Sequence, residues 1–260
     1  MKWHRIWAVV LRHMYLYVRS FDRISDAIYW PVMDILLWGI TSKWMLSQNS
    51  TPHILLIVLS GLVYWPIVWR SNYEIPVNLL EEFWNQNLVN LFASPLKLRE
   101  WIASVMVIRS MKMLVTIGVG AGAVWMLYTV NLFSVGWIIL PFFALLMVSG
   151  WFMGFLASSM IVYWGTRIQT LAWTTGFLFA PFSVIMYPLS SLPDWVQKVA
   201  MLLPTTYIFE GMRAVIATGS MPYDLLLKSI VLNVAYLTGS ILIFAKMFEK
   251  SRAKGLSRLE

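Results

Sequence analysis

Glu81 and Glu82 are the side chains of this sequence most readily given a chemical role. Adjacent carboxylates can ligate a metal or share general acid and base work, as in the Glu-Glu-x-x-x-Arg pattern of certain membrane-embedded hydrolases. Here Gln86 stands at the Arg position, and the histidines, His4, His13 and His53, all precede the pair. Two carboxylates without a metal ligand or base partner make a poor active site, so a membrane-embedded protease or transferase is the weakest reading. Cysteine is absent, which excludes a disulfide, a thiolate nucleophile and a Cys-ligated metal. No Gly-x-x-x-x-Gly-Lys-[Ser/Thr] occurs, so the chain has no P-loop with which to cradle a nucleotide. The remaining charges of interest are Asp34, inside an apolar run, and Glu210 with Arg213, one helical turn apart and able to pair.

The elements that must position these groups are membrane helices. Of 260 residues, 59% are hydrophobic and only 12% charged, with a mean hydropathy of +0.69. The apolar residues fall in blocks of about 20, the length that crosses a hydrocarbon core of roughly 30 Å. The 15 Trp residues suit the headgroup region on both sides. A net charge of +8 in such a chain orients loops against anionic lipid and does not imply nucleic acid. Arg5, Arg12 and Arg19 interrupt the first 20 residues, and no small-x-small cleavage site follows, so the first span is expected to direct insertion.

The sequence predicts an all-α membrane protein forming a single domain over 1–260. Residues 1–23 form an amphipathic helix, with Trp3, Ile6, Trp7, Val10, Leu11, Met14, Tyr17 and Val18 on one face, which either lies in the membrane interface with the three arginines toward lipid phosphate or is a solvated helix packed on its own protein. Six spans follow at about 24–46, 54–73, 105–128, 136–160, 170–189 and 225–246, with an outer turn at 129–135 and a tail at 247–260. With the N-terminus inside, sixteen Lys and Arg fall on the cytoplasmic side and four outside, which puts both termini in the cytoplasm. Gly118-x-x-x-Gly122 and Gly150-x-x-x-Gly154 are helix-contact signatures, for packing within the bundle or at a dimer seam. Asp26, Arg70 and Glu74 lie toward span ends, Arg109 and Lys112 can snorkel to the inner surface, and Asp34 either lines a pathway or pairs with a neighbouring span.

Two connections have size. In the cytoplasmic one, 74–104, Leu80, Phe83, Trp84, Leu88 and Leu91 form a helical stripe with Glu81, Glu82, Asn85 and Gln86 turned away, and Ala93-Ser94-Pro95 stops the helix. Such a helix either docks into a cleft on a soluble partner or packs under the bundle. In the outer one, 190–224, Ser191-x-x-Asp194 reads as a capping box for a helix from Leu192 to about Leu202. Pro204 breaks it, and a second helix starts near Thr205 or Thr206. The pair either dips back into the outer leaflet or forms a surface hairpin.

The run Leu192-Pro193-Asp194-Trp195, then Pro204-Thr205-Thr206-Tyr207 and Glu210-Gly211-Met212-Arg213, resembles the membrane subunit of type-2 ATP-binding-cassette exporters. The likeness covers nearly the whole chain, but only 190–213 is specific; Thr205 departs from the Leu that many relatives carry before the Thr-Tyr pair. The resemblance implies a permease in the cell membrane, without cofactor of its own, paired with a second permease copy or a related one. A separate cytosolic ATPase would bind ATP and Mg. It makes the 79–92 segment a coupling helix, with Glu81, Phe83, Trp84, Leu88 and Leu91 meeting the ATPase, and 190–213 a re-entrant pair beside the exit. Asp34, Tyr207, Glu210 and Arg213 are then pathway or exit-gate residues. Cargo would be an amphipathic small molecule, a lipid or a lipid-linked glycan. Arg23-Ile24-Ser25-Asp26, where glycan exporters often have a Leu-Gly element, favours the small amphiphile. The alternative is an ion-coupled transporter or channel, which needs more intramembrane charge than Asp34 supplies.

Overall fold

The computed structural model describes residues 1–47, 52–128, 138 and 140–255, and the described residues are helical throughout apart from turns. The expected outer turn at 129–135, Arg258 and the side chain of Asp26 lie outside the described residues. The helices are α1 (Trp3–Arg19), α2 (Phe21–Ser47), α3 (Pro52–Trp84), α4 (Leu88–Ala93), α5 (Leu98–Tyr128), α6 (Leu140–Trp164), α7 (Leu171–Phe179), α8 (Asp194–Ala200), α9 (Pro204–Thr218) and α10 (Tyr223–Ala253).

Among the described residues three helical stretches are long and apolar enough to cross a membrane: Leu98–Tyr128, Leu140–Ile168 and Tyr223–Ala253. The α8–α9 pair, bent by 98° at its break, makes up to four if counted as one span. The expected span at 170–189 does not form one straight helix. Its apolar helical stretch, Leu171–Phe182, is twelve residues long, which is too short for the hydrocarbon core. Pro181 removes a backbone donor there, and Val184 turns to a φ of 46°, outside helical geometry. In contrast, α3 outruns its expected span by eleven residues and is about 50 Å long at 1.5 Å per residue. Pro66 and Pro76 lie inside it.

α6 is the central element. It packs along both α3 and α10, and 61% of its most apolar stretch is buried within the protein, against 17% for that of α10. Close approach to α3 depends on two glycines. A Cβ on Gly150 would lie 2.5 Å from the Val68 carbonyl oxygen, and one on Gly154 would lie 2.7 Å from that of Asn72. This signature therefore packs the bundle. Gly118 and Gly122 have nothing of this chain within 4 Å of such a Cβ. One core gathers Tyr64, Phe142, Phe143, Ile208 and Phe209 beneath α9. The other gathers Leu79, Leu80, Phe83, Leu88, Trp101, Phe155 and Phe244 near the Trp84 end of α3.

Candidate functional site

The Trp84 end of α3 is where α1, α4 and α5 meet it. The helix stops there because Gln86 takes a φ of 50°, and α4 begins two residues later. The expected single helix over 79–92 is thus the end of a long helix, a turn and a separate short one. Its apolar stripe does not face outward. Leu80, Phe83 and Leu88 are buried in this chain's own core because Trp101, Phe155 and the aromatic face of α10 are there to receive them. Phe83 and Leu88 have almost no exposed surface in the single chain, and Leu91 is half-buried against the same core. The groups left outside are Trp84, 51% exposed, with Asn85, Gln86, Val89 and Asn90. The Trp84 indole N–H donates to the Gln169 side-chain oxygen at 3.2 Å, so the 165–169 turn after α6 shares this tip.

The carboxylates expected to face away are held by α1. Arg12 donates to Glu82 Oε2 at 3.0 Å and stands 3.0 Å from Oε1, a two-point pairing, and Asn87 donates to Oε2 at 2.7 Å. Glu82 is 1% exposed. Glu100, in the first turn of α5 and ahead of the expected span at 105–128, accepts from the backbone N–H of Lys2 at 2.7 Å and of Lys97 at 3.1 Å. These N–H groups, with Arg5 at 3.5 Å, hold its carboxyl down at about 2. Arg5 also donates to the Pro95 carbonyl. Arg5 and Arg12 therefore turn toward the protein's acids and not toward lipid phosphate, while Trp3, Trp7, Leu11, Tyr15 and Val18 are exposed. The sequence reading missed His13. It is buried on α1, with Nδ1 3.8 Å from Glu81 and Nε2 4.0 Å from Glu82.

Deeper along α3, Glu74 stands between two cations of α5, with Arg109 at 2.9 Å and Lys112 at 3.2 Å. Arg109 has no exposed surface and also donates to Ser71 Oγ at 3.3 Å. It does not snorkel; an acid one helix away made burial the better solution. Lys112 stands 4.7 Å from the centroid of the Tyr17 ring. Asp34, on α2, is exposed in the single chain and near enough to Arg70 for their charges to interact.

At the opposite end, the side chains of the 204–213 run fasten α9 to the broken backbone around it. Thr205 donates to Ser183 Oγ at 2.9 Å, and the Thr206 hydroxyl donates its one proton to the Ala200 carbonyl at 2.6 Å, with the Phe182 carbonyl also within reach at 3.2 Å. Tyr207 donates to the Met201 carbonyl at 2.8 Å. Glu210 and Arg213 pair at 3.0 Å, as their spacing suggested, and each has a second partner. Glu210 accepts from the Leu189 N–H at 2.7 Å, and Arg213 donates to the Val184 carbonyl at 2.9 Å. One local expectation fails: the Ser191 hydroxyl bonds back to Pro188 and caps nothing, leaving Pro193 as the N-cap of α8. The second helix starts where expected to within a residue, with Pro204 as the first residue of α9.

Among the described residues, no group of three or more His, Asp or Glu side chains could hold a metal ion. Comparison of the sequence with protein-family models and with curated proteins returns no match.

Proposed function

We propose that this chain is the membrane permease subunit of an exporter driven by ATP hydrolysis on a separate subunit. The observation that carries the reading is at the outer hairpin. The residues that resemble the exporter family's motif, Thr206, Tyr207, Glu210 and Arg213, are the ones that bind a bent apolar helix pair to interrupted backbone. Irregular backbone at membrane depth is tolerated only where protein satisfies its groups, and this network supplies partners at Val184, Leu189, Ala200 and Met201. In this reading the chain has six spans, both termini are cytoplasmic, and the protein sits in the cell membrane.

The tip formed by Trp84, Val89 and the 165–169 turn faces the ATPase, which brings ATP and Mg. Phe83 and Leu88 act behind it, as the packing that transmits force to α5 and α10. Asp34 supports a paired assembly. A carboxylate on a lipid-facing helix surface costs about 2.5–3.5 kcal/mol at mid-membrane. A second permease copy, or a watery path between two copies, removes that cost. Cargo is an amphipathic small molecule, a lipid or a lipid-linked glycan.

The buried Glu74–Arg109–Lys112 group favours a second reading, an ion-coupled transporter, since it is more interior charge than Asp34 alone. One reconstitution separates them. The permease in vesicles with its partner ATPase should move cargo only with ATP. Cargo movement by the permease alone on an ion gradient overturns the exporter reading.

A further inference from the structure

We infer that α7 is a movable strap, which swings off α3 and lets water into the seam between them, with Asn72 as the group that gains by the opening. Asn72 stands where α3 meets two glycines. Its backbone carbonyl oxygen lies 2.7 Å from where a Cβ on Gly154 of α6 would be, and its side-chain nitrogen 3.2 Å from where one on Gly176 of α7 would be. The residue has no exposed surface. It is the one buried amide among the described residues with neither its oxygen nor its nitrogen hydrogen-bonded. Asn233, buried between α6 and α10, at least accepts from Ser149 at 2.9 Å. Trp69, one turn before Asn72, also abuts Gly176, and its buried indole N–H has no partner either.

A buried polar group left unpaired forfeits the hydrogen bonds it would make in water. Three such atoms therefore weaken the closed seam, and what opposes them is apolar contact. Ala172, one turn before Gly176, packs with Ile75 and Leu79, and the ring of Phe177 stands 5.9 Å from that of Trp69. Water both donates and accepts, which matches an amide with both ends unbonded. The ends of α7 suit a moving piece. A 3-10 turn over Gly165–Ile168 leads into it, with Gly165 at a φ of 77°, and a second over Ala180–Phe182 leads out, shortly before Val184 at 46°. Short 3-10 turns of this kind serve as connectors and hinges, so nine residues of helix can shift between them without unwinding.

None of this requires the exporter reading, and the chain alone suffices for the test. Since the sequence lacks cysteine, a single thiol at Ala172, which has no exposed surface, reports the opening. N-ethylmaleimide attacks the thiolate, which forms where water reaches the sulfur. With the full chain in lipid nanodiscs at one fixed pH, Ala172→Cys should label far faster than Ala157→Cys, which is 1% exposed on α6. Protection of the Ala157→Cys thiol shows that the bundle has folded. Thr175→Cys, also buried on α7, is a second reporter and should behave as Ala172→Cys does. Adding Asn72→Leu, similar in size and without polar atoms to satisfy, should slow labelling of both reporters about tenfold and raise the melting temperature, since the dry amide no longer favours the open seam. An Asn72 that merely holds the helices together gives the opposite result, faster labelling and a lower melting temperature in Asn72→Leu, and that outcome overturns the strap. So do reporters that label no faster than Ala157→Cys.

Discussion

Arg213 does more than pair with Glu210. Its second bond reaches the carbonyl of Val184, a β-branched residue at a φ of 46°. A side chain of that kind in the left-handed region costs on the order of 1–3 kcal/mol and persists only where its surroundings enforce it. Arg213→Ala removes that enforcement and leaves the buried carbonyl without its donor. A hydrogen bond from a charged group contributes about 1.5–3 kcal/mol, so a loss of about 2 kcal/mol in stability is expected. It should appear with faster proteolysis or hydrogen exchange confined at first to 183–189. An unchanged rate in that segment would mean the bend holds without its clamp. Glu100 gives a different test. Its carboxyl titrates at about 2, below its ordinary 4.5, so the stabilisation is complete above that ordinary value and is lost as pH falls toward 2. Glu100→Gln should abolish that acid-dependent loosening of the start of α1, read by hydrogen exchange of the 3–19 peptides as pH is lowered from 4.5 toward 2. Of these groups, the Glu210–Arg213 pair was legible from its i,i+3 spacing. The acids that hold Arg5, Arg12 and His13 were not, because sequence periodicity says nothing of which distant helix a side chain meets.

The two glycine signatures show what an element can conceal. Gly118-x-x-x-Gly122 and Gly150-x-x-x-Gly154 look alike in sequence, yet only the second meets a neighbour within the chain. Gly154→Leu should prevent close approach of α6 to α3 and lower the melting temperature sharply, because the obstacle is the Asn72 backbone carbonyl. Gly118→Leu should leave the melting temperature of the isolated chain within a degree or two, as expected for a surface change of under about 0.5 kcal/mol. Equal effects would show that the α6–α3 contact is misassigned. The end of α3 behaves similarly. Hydrophobic spacing at Leu80, Phe83 and Leu88 picked out side chains that share one buried face, but not the break at Gln86 that puts Leu88 on a separate helix, and a face does not name its partner. The chain's own aromatic residues claimed it. This separates two neighbouring substitutions. Phe83→Ala should destabilise the fold by about 3–5 kcal/mol, as for a buried aromatic. Trp84→Ala should spare the fold and weaken ATPase binding by about 2 kcal/mol, near thirtyfold in Kd, if this tip is the docking surface. Titration of the purified protein with the ATPase of the proposed complex measures that difference.

At the scale of the whole molecule the contacts sort into two ends. One end holds Trp84 beside Gln169, Phe92 against Phe248 and Lys254 on Tyr163, with α1 bound to Glu82 and Glu100. The N-terminal helix and the far end of α10 thus share it. The other end holds the α8–α9 hairpin, the 183–189 backbone and the turn at Ser220. Lys and Arg concentrate in the segments of the first end: Arg5, Arg12, Lys97, Arg99, Arg167, Lys250, Arg252 and Lys254. Lys198, Arg213 and Lys228 are the basic residues in the outer-hairpin segments and the start of α10. The proposed orientation puts the basic end in the cytoplasm, since basic loops resist translocation. The absence of cysteine makes that orientation directly measurable. A thiol at Ser220→Cys should react with an impermeant maleimide on intact cells, whereas thiols at Gln86→Cys and Thr166→Cys should react only after permeabilisation. Labelling of Ser220→Cys and Gln86→Cys from the same side would break the separation of ends on which both the tip and the hairpin assignments rest.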